Sequence, residues 1–195
     1  MSSSASQAGQ PRGLVGRLLA WIMVRHNAPD NAWAIDLLNI QDGDHILEVG
    51  YGPGAAIELI TRRHPATQIS GVDHAQTMLE AASARNRAAI AAGKLDLQVG
   101  SVTSLPFADA SFDKAFAINS IYFWEPPQQG LNELQRVLKP GGCLAVTVRD
   151  KQRAPYPDFR PDKLIPLFRQ AGFSHVETHR NGVPGHPLIC LLGIK

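Results

Sequence analysis

Short apolar runs recur along the chain, separated by stretches in which apolar residues return every three or four positions. The runs predict strands ending at Val49 and over Gln68–Val72, Leu95–Val99, Lys114–Ile118, Cys143–Val148, His175–Thr178 and Leu188–Ile194. The intervening periodicity predicts helices ending near Arg63, over Thr77–Ala92 and stopped by Gly93, over Pro127–Leu138, and over Pro161–Ala171. Strands alternating with helices at this spacing imply a mostly parallel sheet covered on both faces. Asn181-Gly182-Val183-Pro184-Gly185 is hairpin chemistry, so the last strand is expected to enter antiparallel. The expected fold class is α/β, a Rossmann-like three-layer sandwich with a seven-stranded sheet.

Upstream of the first strand, Leu14, Leu18, Leu19 and Ile22 fall at helical spacing. A second helix is expected from about Asp30 to Leu38, capped by Asp30 or Asn31, with Trp33, Ile35 and Leu38 facing inward. Residues 1–11 are small and polar and read as a disordered tail. The division expected is therefore a tail over 1–11, a helical lid over 12–43 and one ligand-binding domain over 44–195.

The chemistry gathers at the first strand's end, where Glu48 and Val49 run into Gly50-Tyr51-Gly52-Pro53-Gly54. Glycines let the backbone turn sharply and approach a ligand where a Cβ would collide, and the helix that follows presents free N–H groups. In an open parallel sheet the ligand lies beyond the carboxyl ends of the strands. Those ends carry the glycine loop, Asp73, Ser101 and Asn119. Asp73 is placed either to accept from a ribose diol or to cap the next helix. Gly50, Gly52 and Ala55 also satisfy the dinucleotide pattern G-x-G-x-x-G/A, which keeps a nicotinamide-dependent oxidoreductase as an alternative. Glu48 argues against it, because a carboxylate inside a buried strand must be paired or face a ligand.

Composition narrows the classes. Net charge is +2, and no basic run or aromatic-interleaved patch points to nucleic acid. Cys143 and Cys190 match no metal spacing, so no metal is expected and both read as small buried hydrophobes. Leu14–Val24 is too short to span a bilayer, and a cytoplasmic location is the default.

Ile46-Leu47-Glu48-Val49-Gly50-Tyr51-Gly52-Pro53-Gly54 resembles the signature of class I S-adenosylmethionine-dependent methyltransferases, in particular the small-molecule group that includes ubiquinone and menaquinone biosynthesis enzymes. Leu105-Pro106-Phe107 with Ser111-Phe112-Asp113, the strand ending at Asn119, and Leu138-Lys139-Pro140-Gly141-Gly142 extend the resemblance in the expected order. It implies S-adenosylmethionine as cofactor, held by Glu48, Gly50, Tyr51 and Gly52, with Asp73 on the ribose hydroxyls and His74 beside the adenine. Ser101 and Val102 would border the adenine, and Asn119 would receive the methionyl ammonium through its backbone carbonyl. Ser101 departs from the acidic residue usual in the family at that position, and a hydroxyl is the weaker acceptor.

The acceptor implied is a small molecule walled by Tyr122 and Trp124, in a monomer or homodimer. No general base is legible; His26, His74 and Tyr122 are the candidates nearest the site. A cofactor-binding module without turnover is the non-enzymatic alternative.

Overall fold

The structure is a computed structural model that describes residues 28–181 and 187–195. The expected tail, the helix at Leu14–Ile22 and most of the hairpin turn lie outside the described residues.

Helix α1 includes residues 28–37 and precedes β1 (His45–Val49). Then follow α2 (Ala55–Arg63), β2 (Gln68–Asp73), α3 (Gln76–Arg85), α4 (Arg87–Ala91), β3 (Leu95–Val99) and β4 (Phe112–Ile118). A 3-10 turn (Ile121–Phe123) leads to α5 (Pro127–Val137) and β5 (Leu138–Arg149). A second 3-10 turn (Tyr156–Phe159), α6 (Pro161–Gln170), β6 (His175–Arg180) and β7 (Leu188–Ile194) complete the order. The sheet runs β3-β2-β1-β4-β5-β7-β6. β7 is antiparallel to both β5 and β6, as the turn chemistry predicts.

The strands are apolar on both faces because both faces are covered. Leu47, Val49, Ala115, Ala117, Leu144 and Val146 pack toward Leu131, Leu134 and Val137 of α5 and Leu164 and Phe168 of α6. The alternate positions, including Ile46, Ile69, Phe116 and Ala145, pack with Ile35, Ile57, Ile60, Met78 and Ala82 on the other side. The sandwich is therefore three-layered. Among the described residues, no helix is long and apolar enough to cross a membrane.

Three expectations are corrected. The helix expected over Thr77–Ala92 is broken at Asn86 (φ −104°, ψ 25°), whose side-chain amide donates to Gly54 O and Ala82 O, both at 3.0 Å. β5 begins at Leu138 rather than Cys143. Its register slips between Leu138 and Cys143, where Gly141 N–H donates to Lys195 O and Lys195 N–H returns to Gly142 O, each at 3.0 Å. Asp30 is not a cap but lies inside α1, fully buried.

Candidate active site

The cleft lies beyond the carboxyl ends of β1, β2, β3 and β4, where four loops meet. Its lining includes Glu48, Gly50, Tyr51, Gly52, Asp73, His74, Ser101, Val102, Asn119 and Trp124. Ten of the eleven residues expected at the site are thus brought together by chain segments far apart in sequence. Tyr122 is the exception, and does not line the cleft.

The glycine loop is shaped by what surrounds it. Gly50 (φ 76°) donates its N–H to Val72 O at 2.7 Å. A Cβ at Gly50 would stand 2.4 Å from Ser120 Cβ, while Ser120 Oγ donates to Val49 O at 2.8 Å. β4's end is therefore pressed against the loop, and only glycine leaves room. Gly52 (φ 51°) is different: a Cβ there would meet no atom within 4 Å. Its bare face opens on the cleft.

Asp73, 6% exposed, holds two backbone groups. Its Oδ2 accepts from Gly52 N–H at 2.8 Å and its Oδ1 from Ala75 N–H at 3.0 Å, at the start of α3. The loop-bracing and helix-starting roles coexist, and the carboxylate still borders the cleft. His74 Nδ1 lies 3.5 Å from Asp73 Oδ1.

Tyr51 crosses beneath the cleft. Its hydroxyl donates to Gln98 O at 3.2 Å on β3, and its ring lies where Gly71 has no side chain, since a Cβ there would approach Tyr51 Cδ1 to 2.8 Å. Burial, and then the Asp73 and Glu48 carboxylates, push the Tyr51 phenol up, so it keeps its proton.

Glu48 is 3% exposed, and its Oε2 has no hydrogen-bond partner among the described residues. Burial first, and the nearby Asp73 second, hold this carboxyl well above the usual carboxylate range. A buried, unpartnered carboxyl on a cleft wall lacks a counterpart that a ligand can supply.

On the third side, Gly100 N–H donates to Asp73 O at 2.9 Å and leads into Ser101. The Ser101 hydroxyl is engaged within its own loop, 2.7 Å from Thr103 Oγ1 and accepting Thr103 N–H at 3.2 Å. Val102 packs beside Gly130, where a Cβ would come within 3.2 Å of both its methyls.

Asn119 closes the fourth side in the left-handed region, φ 54°, which a residue with a Cβ adopts at a cost. Trp124 lines the wall at 5% exposure, and Phe123 stands at the cleft with 51% of its surface open. Tyr122 turns away, its hydroxyl donating to Asn119 Oδ1 at 3.4 Å and accepting Arg149 N–H at 2.6 Å. Burial pushes the Tyr122 phenol up, so it holds its proton; His26 lies outside the described residues. Asn31 of α1 and Phe123 are lining residues that the pattern did not single out as site residues. Asn31 carried no signal beyond its expected place as a cap; Phe123 sat in the aromatic run after β4.

Residues 47–146 match the family described as methyltransferase domain, over half of the chain. The chain belongs to that family. It is a class I S-adenosylmethionine-dependent methyltransferase. The methyltransferase is 28% identical over 185 residues to the uncharacterized methyltransferase YdaC of Bacillus subtilis, covering 91% of this chain and 98% of that one. It is 34% identical over 124 residues to the ubiquinone/menaquinone biosynthesis C-methyltransferase UbiE of Geotalea daltonii, with 60% of this chain and 52% of that one covered. The O-methyltransferase resE of Aspergillus sclerotiorum is 38% identical over 109 residues, covering 56% of this chain. The methyltransferase spans nearly the whole Bacillus relative, but 41% of the Aspergillus protein. The fold also matches a S-adenosylmethionine-dependent methyltransferase from Aquifex aeolicus, with TM-score 0.70, 18% identity, and 85% and 89% of the two chains covered.

The site fits S-adenosylmethionine on its own features. That molecule carries a ribose diol and a methionyl ammonium. The cleft offers a carboxylate at the end of β2, a buried carboxyl lacking a partner, and a glycine whose Cβ position is open.

Proposed function

We propose that this methyltransferase transfers a methyl group to a small-molecule acceptor by in-line displacement within the cleft. The observation that supports it most is Glu48, a buried carboxyl on the cleft wall whose Oε2 has no partner among the described residues, in a cleft suited to a cationic ligand. The relative named for ubiquinone and menaquinone biosynthesis agrees with the acceptor class.

In this reading, S-adenosylmethionine supplies an electrophilic methyl group on a sulfonium. Asp73 accepts from the ribose hydroxyls while it braces Gly52. Gly50, Tyr51 and Gly52 form the floor, and Glu48 and the Asn119 carbonyl attract the ammonium. His74 and Val102 border the adenine. Because the Ser101 hydroxyl is occupied by Thr103, the adenine amino group is read by backbone rather than by the Ser101 side chain. Phe123 and Trp124 wall the acceptor, an apolar or planar surface suiting aromatic rings. Asn31 brings α1 to the mouth, consistent with the segment preceding β1 acting as a cover. The chain's contribution to rate is then chiefly orientation of the nucleophile and exclusion of water.

Calorimetric titration with S-adenosylhomocysteine, with NAD as control, followed by methyl transfer from S-adenosylmethionine to a panel of small phenols, amines, thiols and quinols, tests this reading. Binding of the first ligand alone, with turnover on a member of the panel, is expected. Binding of NAD in its place would overturn it.

A further inference from the structure

Four residues from four parts of the chain close a ring beside the cleft. Asp30 of α1 is fully buried, and its Oδ2 accepts from Asn119 Nδ2 at 3.2 Å and from Arg149 Nη2 at 3.3 Å. Tyr122 completes the circuit, donating from its hydroxyl to Asn119 Oδ1 at 3.4 Å and accepting Arg149 N–H at 2.6 Å. The ring therefore links α1, the end of β4, the 3-10 turn after it and the end of β5. Tyr122 is held edge-on by Tyr156 and Phe159, each with its ring centroid 5.1 Å away, and it meets Phe123 at 6.4 Å.

At the centre of this arrangement is a residue whose backbone is left-handed. Asn119 sits at φ 54° and lines the cleft. Asparagine enters the left-handed region more readily than most residues with a Cβ, but less readily than glycine, so its surroundings decide how firmly it is held there. The ring grips both the oxygen and the nitrogen of the Asn119 amide, so the side chain has no freedom left with which to let the backbone relax.

We propose that Tyr122 and Asp30 are positioning residues that hold Asn119 in its left-handed conformation, and so keep its backbone presented to the cofactor. The proposal rests on the reading that Asn119 borders the cofactor. It assigns Tyr122 a place behind the site rather than in contact with the acceptor. It also makes α1, which lies before the sheet begins, part of the cofactor site's support.

Two measurements test it, one needing no ligand. The first is residue-resolved amide hydrogen exchange on the ligand-free protein. Asn119 N–H donates to Thr147 O at 2.9 Å, so its exchange reports whether the backbone stays in place. Tyr122→Phe and Asp30→Asn are expected to speed exchange at Asn119 and Ser120 at least fivefold, while amides of β2 and β3 keep their wild-type rates. Unchanged exchange at Asn119 would overturn the proposal, whatever the ligand data show. The second is a double-mutant cycle on the Kd for S-adenosylhomocysteine. Tyr122→Phe is expected to raise Kd about tenfold in the wild-type chain. In the Asn119→Gly background, where the left-handed conformation needs no support, it is expected to add nothing. Multiplying effects, or a lowered melting temperature with an unchanged Kd, would mean that the ring is structural only and would sink the proposal. Failure of the wild-type chain to bind S-adenosylhomocysteine would count against the cofactor reading instead, leaving the exchange result to decide the ring.

Discussion

Asp73 Oδ2 accepts the backbone N–H of Gly52 across 21 residues of sequence, at 2.8 Å. One carboxylate thereby sets the shape of the glycine loop while its other oxygen receives Ala75 N–H. The second strand is thus what holds the loop at the end of the first.

Asp73→Ala should fail in two measurable ways. Removing the carboxylate strands two backbone donors, which costs about 2 kcal/mol of stability in chemical unfolding. S-adenosylhomocysteine affinity should fall roughly 100-fold, as two lost charge-assisted hydrogen bonds of about 1.5 kcal/mol each would give. Loss of stability with affinity retained would show that Asp73 braces the loop without touching the ribose.

The two loop glycines should separate. Gly50→Ala drives a methyl into Ser120 at a left-handed position and should destabilise the fold by about 3 kcal/mol or more. Gly52→Ala meets no protein atom and should cost only the backbone preference, about 1–2 kcal/mol, yet weaken cofactor binding at least tenfold. Thermal unfolding and calorimetry on the same pair of variants distinguish them. Equal affinity of Gly52→Ala and wild type would remove Gly52 from the cofactor floor.

Glu48 carries a pH signature. Its carboxyl is raised by burial and by Asp73, so the folded protein keeps a proton that the unfolded chain gives up. Stability of the wild type relative to Glu48→Gln should therefore fall as pH rises from about 4.3 toward the raised folded value, and the difference should be constant below about pH 4. If an ammonium pairs with Glu48, cofactor binding should release a proton over the pH range in which the free carboxyl holds one. Titration enthalpies would then vary with the buffer's ionisation heat in the wild type, and less so in Glu48→Gln. A wild-type enthalpy independent of buffer would rule out that pairing.

Phe123→Ala should act on the acceptor alone. The ring is half exposed and buries little, so stability should change by less than about 1 kcal/mol. KM for an apolar acceptor should rise severalfold while the Kd for S-adenosylhomocysteine stays at the wild-type value. A change confined to cofactor affinity would place Phe123 on the wrong side of the cleft.

Local patterns reported local structure well. β3 and β7 fall where short apolar runs between turn residues put them, and the glycine loop announced the cleft because Gly50 and Gly52 serve conformations readable from their neighbours. What escaped depends on distant partners. Asn86, where a helix is interrupted, ties its side-chain amide to Gly54 O, 32 residues away. Asp30 and Arg149 meet across 119 residues, and the place of Asp30 at a helix start pointed to a cap rather than to that partner. Tyr122 lay in the right run of aromatics, but its direction is set by Arg149 and by the rings of Tyr156 and Phe159. Spacing conveys none of these.

The strand order β3-β2-β1-β4-β5-β7-β6 divides the sheet into two estates. Among the described residues the cleft's lining runs from Asn31 to Trp124, so it draws on α1 and on the first four strands with the loops that follow them, and β5, β7 and β6 contribute none of it. Recognition therefore rests on one half of the sheet, with Thr147 and Arg149 of β5 bracing Asn119 from behind. Changes in β6 and β7 can drift under selection for folding alone, while new acceptors can be tried at Phe123 without disturbing the ring around Asn119 or the antiparallel closure on which the sheet depends.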